Sequence, residues 1–145
     1  MRKLVIVAVL GLVGVAALAQ SWDNVIALDT VAYGWTIKNE SGQIVGVKGF
    51  SLMIGWGEKY YFEPLQEKKF NTYWGWAVGL SILGGYALFG GDYLIQDGIY
   101  VGGAIGAGFT LYGLMASMLA GMYGIPSWFS WPVFPVVGVT VGVYF

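Results

Sequence analysis

The chain has no cysteine and no histidine among its 145 residues. Without cysteine it can form no disulfide, no thiolate nucleophile and no thiolate-held metal site. Without histidine it lacks the usual general base near neutral pH and the commonest metal ligand. No serine or threonine has an imidazole to activate it, and no paired-carboxylate or metal-ligand spacing stands out. Charge is scarce as well. Charged residues make up 10% of the chain, against roughly 25% in ordinary soluble domains. Beyond Lys69 the charged side chains are Asp92 and Asp97 alone. A net charge of −1 gives no basic footprint for nucleic acid. Glycine-rich pieces such as Gly102-Gly103-Ala104-Ile105-Gly106 lack the following Lys-Ser/Thr of a phosphate-binding loop. The expectation from these absences is no enzyme, no cofactor, no metal and no nucleic-acid partner.

What remains is hydrophobic, at 57% of residues, and rich in glycine, with 24 of them. The N-terminus has Arg2 and Lys3, an apolar run from Leu4, and Ala17-Leu18-Ala19. A positive start, an apolar stretch and a small-x-small site predict a secretory signal over 1–19. The apolar run is shorter than the roughly 20 residues of a spanning helix. The remainder, 20–145, is expected to form one domain. Cleavage after Ala19 removes Arg2 and Lys3, leaving 5 basic and 8 acidic residues and a net charge of −3.

The body of the chain alternates. At the C-terminus Val137, Val139, Val141, Val143 and Phe145 share one face, and Gly138, Thr140, Gly142 and Tyr144 the other. Between 49 and 57, Phe50, Leu52, Ile54 and Trp56 oppose Gly49, Ser51, Gly55 and Gly57, interrupted only by Met53. Between 73 and 83, Trp74, Trp76, Val78, Leu80 and Ile82 oppose Gly75, Ala77, Gly79 and Ser81. Residues 30–38 and 99–111 alternate too. This period of two is that of a strand, and a helix would scatter both sets around its circumference. Asn39-Glu40-Ser41-Gly42 and Gln96-Asp97-Gly98 read as turns. Residues 58–71 hold six charges and read as a solvated loop, and 111–123 fit a helix at least as well as a strand.

Only helices and closed barrels span lipid, because all backbone polar groups must pair internally. A helical alternative takes 72–95 and 99–123 as spanning segments, with Gly98, Gly102 and Gly106 as a packing motif. It leaves 30–56 and 137–145 unexplained. An all-β fold, a small antiparallel transmembrane β-barrel of eight strands, accounts for more of the chain. Strands of about ten residues fit the available length, and small inward residues suit a narrow interior. Its longest polar stretch follows only two readable strands, which implies an unread strand or an atypical loop.

On this reading Phe50, Leu52, Ile54, Trp56, Trp74, Trp76, Val78, Leu80 and Ile82 face lipid. Trp35 and Trp128 join an aromatic girdle, with Tyr60, Tyr61 and Phe62 beside a charged collar. Lys48, Asp92 and Asp97 are the candidate polar residues of the lumen or its rim. The bland alternatives are a snorkelling Lys48, an interfacial Asp92 and a turn residue at Asp97.

The signal peptide, the alternating strands, the Trp/Tyr-rich strand ends and the terminal aromatic resemble the small outer-membrane β-barrels of diderm bacteria. The resemblance implies an outer-membrane location, a lipid bilayer partner and recognition by the barrel-assembly machinery. Val137, Val139, Val141, Val143 and Phe145 match the assembly signal of that class. No active-site motif comes with it. The function expected is a non-enzymatic structural, adhesive or envelope-stability role. The alternatives are a narrow or oligomeric pore for small solutes, and a helical accessory protein of the cytoplasmic membrane.

Overall fold

A computed structural model describes residues 22–81, 83–124 and 133–145. The proposed signal segment, Ile82 and Trp128 lie outside the described residues. Eight strands follow in chain order: β1 Asn24–Leu28, β2 Tyr33–Lys38, β3 Ile44–Ser51, β4 Gly55–Tyr61, β5 Phe70–Gly79, β6 Gly84–Gln96, β7 Ile99–Thr110 and β8 Val133–Tyr144. Each pairs antiparallel with its neighbour, and β1 pairs with β8, so the sheet closes into a barrel. Among the described residues one helix, α1 Leu111–Met122, stands between β7 and β8. Thr110 starts it, its side-chain oxygen accepting the Gly113 N–H at 2.9 Å, which satisfies one of the free donors of the first turn.

The register sets the barrel's width. Paired residues lead once around the wall from Val25 to Gly34, Gly49, Gly57, Ala77, Tyr86, Gly108 and Phe134. Val25 itself pairs with Tyr144, so the circuit closes with a stagger of ten residues, 144 minus 134. Eight strands with that stagger, at a rise of ~3.3 Å and a spacing of ~4.8 Å, tilt by about 40°. A barrel of this size has an interior just wide enough to be filled by side chains.

The wall is uneven in height. β1 to β4 have 5, 6, 8 and 7 residues, whereas β5 to β8 have 10, 13, 12 and 12. β1 covers β8 only from Val141 to Tyr144. Among the described residues, 133–140 therefore have a strand partner on the β7 side alone. The strands lengthen from β1 round to β8, away from the end where Asn24 meets Phe145.

Several sequence expectations change. The helical alternative fails: 72–95 fold as the β5–β6 hairpin, and 99–123 as β7 followed by α1. Among the described residues no helix is long and apolar enough to cross a membrane. The apparent strand over 49–57 is the end of β3, a turn at Leu52–Ile54, and the start of β4. Phe50 and Trp56 therefore face each other across strands rather than along one. The turn is invisible to periodicity because Leu52 and Ile54 keep the alternation through it. Leu80 likewise sits in the turn after β5. The supposed loop 58–71 begins with strand, since Glu58 to Tyr61 complete β4. β1 went unread because Asp23 and Asp29 bracket a very short apolar run. The polar stretch 62–69 is thus the fourth connection, at the end of the barrel that carries the termini.

Candidate functional site

The outer wall is apolar and exposed, whereas the interior combines apolar packing with buried charge. On the outer wall Phe50, Trp74, Val78, Phe89, Ile105, Val137 and Val139 are exposed. Trp56 and Trp76 are half-buried there, and Trp56 stacks on Trp35 with centroids 6.4 Å apart. Val141, Val143 and Phe145 continue the outward register of β8, although Val143 is buried. Phe145 follows the strand, and its backbone N–H donates to Asn24.

Three charged side chains, Asp29, Lys59 and Asp92, lie inside. β4 presents Gly57, Lys59 and Tyr61 inward and Trp56, Glu58 and Tyr60 outward. Lys59 lies at the centre of the lumen. Its Nζ donates to Asp29 Oδ2 at 2.5 Å and to Asp92 Oδ2 at 2.7 Å, with all three side chains 2% exposed or less. The same Nζ lies 4.5 Å from the ring centroids of both Tyr73 and Tyr100, within cation–π range.

The surrounding hydroxyls complete the carboxylates. Tyr61 OH and Thr140 Oγ1 donate to Asp92, at 2.9 and 2.8 Å. Tyr100 OH donates to Asp29 Oδ2 at 3.1 Å, and the Thr30 backbone N–H donates to its Oδ1 at 2.6 Å. The Tyr61 and Tyr144 hydroxyls share a hydrogen bond of 2.7 Å. Two carboxylates against one ammonium leave the cluster one negative charge in excess, spread over these donors. Glycine makes the approach feasible: a Cβ on Gly102 would come within 2.5 Å of Asp92 Oδ1 and 2.8 Å of Thr140 Oγ1. Gly142 likewise makes way for Tyr100, whose hydroxyl lies 2.7 Å from where its Cβ would be.

Below this network the lumen is stoppered. Val25, Ala27, Val31, Val47 and Leu94 pack with Tyr100 and Tyr144, and Trp22 and Leu65 close over them. Leu65 belongs to the 62–69 segment, which folds back over the barrel end. Its N–H donates to Ile44, and the Lys68 N–H to Leu94. Asn71 secures the segment by accepting from the Gln66 N–H and donating to the Gln66 and Lys69 carbonyls.

Of the three polar candidates only Asp92 lies in the lumen. Lys48 stands on the outer wall in mid-strand, neither in the lumen nor at a rim, because its register is that of Phe50. It sits in a cross-strand row of Trp35, Lys48, Glu58 and Trp76. There Glu58 accepts from Trp56 Nε1 and Tyr60 OH, at 3.1 and 2.6 Å. Asp97 is in the β6–β7 turn, exposed, with φ of 50° beside Gly98 at 78°. Lys59, Asp29 and the tyrosines are not legible as one cluster in the sequence, since Lys59 falls within a charged stretch that reads as loop. The signal was present: the alternation of Trp56, Glu58 and Tyr60 runs on past the point where charge seemed to end the strand.

Among the described residues no three Asp or Glu side chains converge to hold a metal ion. The two carboxylates that do approach each other are already occupied by Lys59. The arrangement fills the lumen with paired charges and hydroxyls. Comparisons with protein-family models, curated proteins and solved structures give no match to this chain.

Proposed function

We propose that the protein is a non-enzymatic β-barrel of the bacterial outer membrane, with a structural or envelope-stabilising role rather than a pore. The observation that supports this most is the inversion of its two faces. Phe89 and Ile105 stand 65% and 66% exposed on the outer wall while Lys59 and Asp92 are buried inside. Water would penalise that outer surface, whereas lipid is matched by it. α1 adds to the argument. It has no charged residue, and Leu111, Tyr112, Met115, Met118, Leu119 and Met122 are all exposed. A helix without a polar face suits an apolar surround rather than water. The tyrosines and tryptophans around Glu58 are the mixed aromatic and charged belt that a membrane interface favours.

The closed interior supports the non-porous form of this reading. An ion following the barrel axis meets the Lys59 cluster and then the apolar stopper under Leu65. In a gel, the detergent-folded protein is expected to migrate differently before and after boiling, as closed barrels do. In planar bilayers it is expected to give no steady single-channel currents. Regular current steps from folded protein would replace this reading with the pore.

A further inference from the structure

The low side of the wall and the interior above the network form one feature. On the outer-membrane reading, on which this inference rests, a spanning strand needs about 9–11 residues. β1 to β4 fall short of that, and β8 rises past them with one edge uncovered among the described residues. That edge carries the backbone groups of odd-numbered residues. Phe145 exchanges bonds with Asn24 of β1, whereas the Tyr144 N–H donates to Gly98 on the β7 side, and the direction alternates residue by residue. Pro135 is one of the odd residues and has no N–H to offer. Proline is placed in sheets where its missing donor faces away from the ladder. An added strand would find no donor at that point, so the gap is built into the wall.

Behind the gap lies a chamber of about 280 Å³, walled by Leu28, Tyr86, Leu88, Ala104, Val136 and Gly138. Its size is near the roughly 300 Å³ lower end of small-molecule sites. Gly138 points into it with nothing within 4 Å of where a Cβ would stand. Its floor is the top of the ionic network, where Thr140 binds Asp92. Thr30 is also there, 2% exposed, with its hydroxyl beside that of Tyr86. The mouth opens sideways between Leu52 and Val139, which are 60% and 79% exposed.

We propose that this chamber holds the acyl chain of a bilayer phospholipid, which slides in through the gap beside β8. Its walls are mostly hydrocarbon, and its polar groups gather at the floor, where Asp29 is already held by Lys59. Water finds partners only at that floor, since each molecule needs about 2–4 polar groups. The network below stops the chain from passing further.

The test uses the folded protein in phosphatidylcholine vesicles with a diazirine at one acyl-chain end, irradiated and mapped by peptide mass spectrometry. Adducts are expected on outward residues such as Phe89 and Ile105, and also on the inward Leu88, Ala104 or Val136. Gly138→Phe fills the chamber from open space. It should keep the outer adducts and reduce the inner ones about tenfold, the change that ~1.4 kcal/mol of lost binding gives. Gly138→Leu serves the same purpose if Phe prevents folding, as judged by migration before boiling. Outer adducts without inner ones, or inner ones indifferent to the filled chamber, overturn the acyl-chain site and leave the membrane reading standing. Absence of both sets overturns the membrane reading itself. Inner labelling by a diazirine-tipped free fatty acid but not by the phospholipid overturns the bilayer lipid as occupant.

Discussion

Lys59 carries the largest single-residue consequence. A buried charge costs several kcal/mol, which is offset only when partners and hydrogen bonds are complete. Here each carboxylate oxygen of Asp29 and Asp92 has a donor. Lys59→Met keeps the length of the side chain but leaves two buried carboxylates without a cation. It should lower stability by about 3–5 kcal/mol, read from the urea midpoint of tryptophan fluorescence in lipid vesicles. Asp29→Asn leaves one lysine facing one aspartate and should cost clearly less. Equal losses for the two would mean that the excess negative charge is not what Lys59 compensates. Tyr61→Phe and Thr140→Val each remove a hydrogen bond to Asp92, worth about 1.5–3 kcal/mol with a charged acceptor. Because both act through that one carboxylate, the double variant should depart from additivity.

At the scale of elements, the turns show where local geometry constrains residue choice. Asp97 and Gly98 both have positive φ, at 50° and 78°, which is the two-residue turn that matches strand twist. Asp97→Val places a branched side chain in that conformation and should cost about 1–2 kcal/mol, while Asp97→Asn should be nearly neutral. The β3–β4 turn departs from the preferred chemistry. Ile54 has φ of 53° and stands exposed at the tip. Ile54→Gly should therefore raise the unfolding midpoint, by about 1 kcal/mol. An unchanged or lower midpoint would show that the apolar contact of this side chain outweighs its backbone strain. On β8, Pro135→Ala should stay within about 0.5 kcal/mol of the parent, because the restored N–H faces the uncovered edge. Val136→Pro removes a donor facing β7 and should lose at least about 1 kcal/mol.

For the molecule as a whole, closure depends on the two ends of the described chain meeting. Val25 pairs with Tyr144 across nearly the full sequence, and contacts that distant form late and slowly. Tyr144 also stacks on Trp22, with centroids 6.2 Å apart, and shares its hydroxyl bond with Tyr61. Removing Tyr144 and Phe145 therefore takes the Val25 pairing, the Asn24 bonds, one ring of the stopper and the partner of the Tyr61 hydroxyl together. The truncated chain should give no form whose gel migration changes on boiling, whereas Tyr144→Phe should retain one. The same long-range closure explains the limits of reading this chain locally. Strands β5, β7 and β8 were legible because glycine or alanine alternates with large apolar residues over many positions. β1 is only five residues long, too short for any period to register, and it exists as a strand because β8 and β2 flank it.

Sequence alone determined the strand period, the apolar outer face and the exclusion of thiol and imidazole chemistry. Each of these follows from residue type and its spacing along one segment. Tertiary structure decided that Lys59 meets Asp29 and Asp92, which lie 30 and 33 positions away, and that β8 stands uncovered above β1 among the described residues. Those facts depend on the ten-residue stagger of the closed barrel, which sums the registers of all eight strand pairs and is written in no single stretch of sequence.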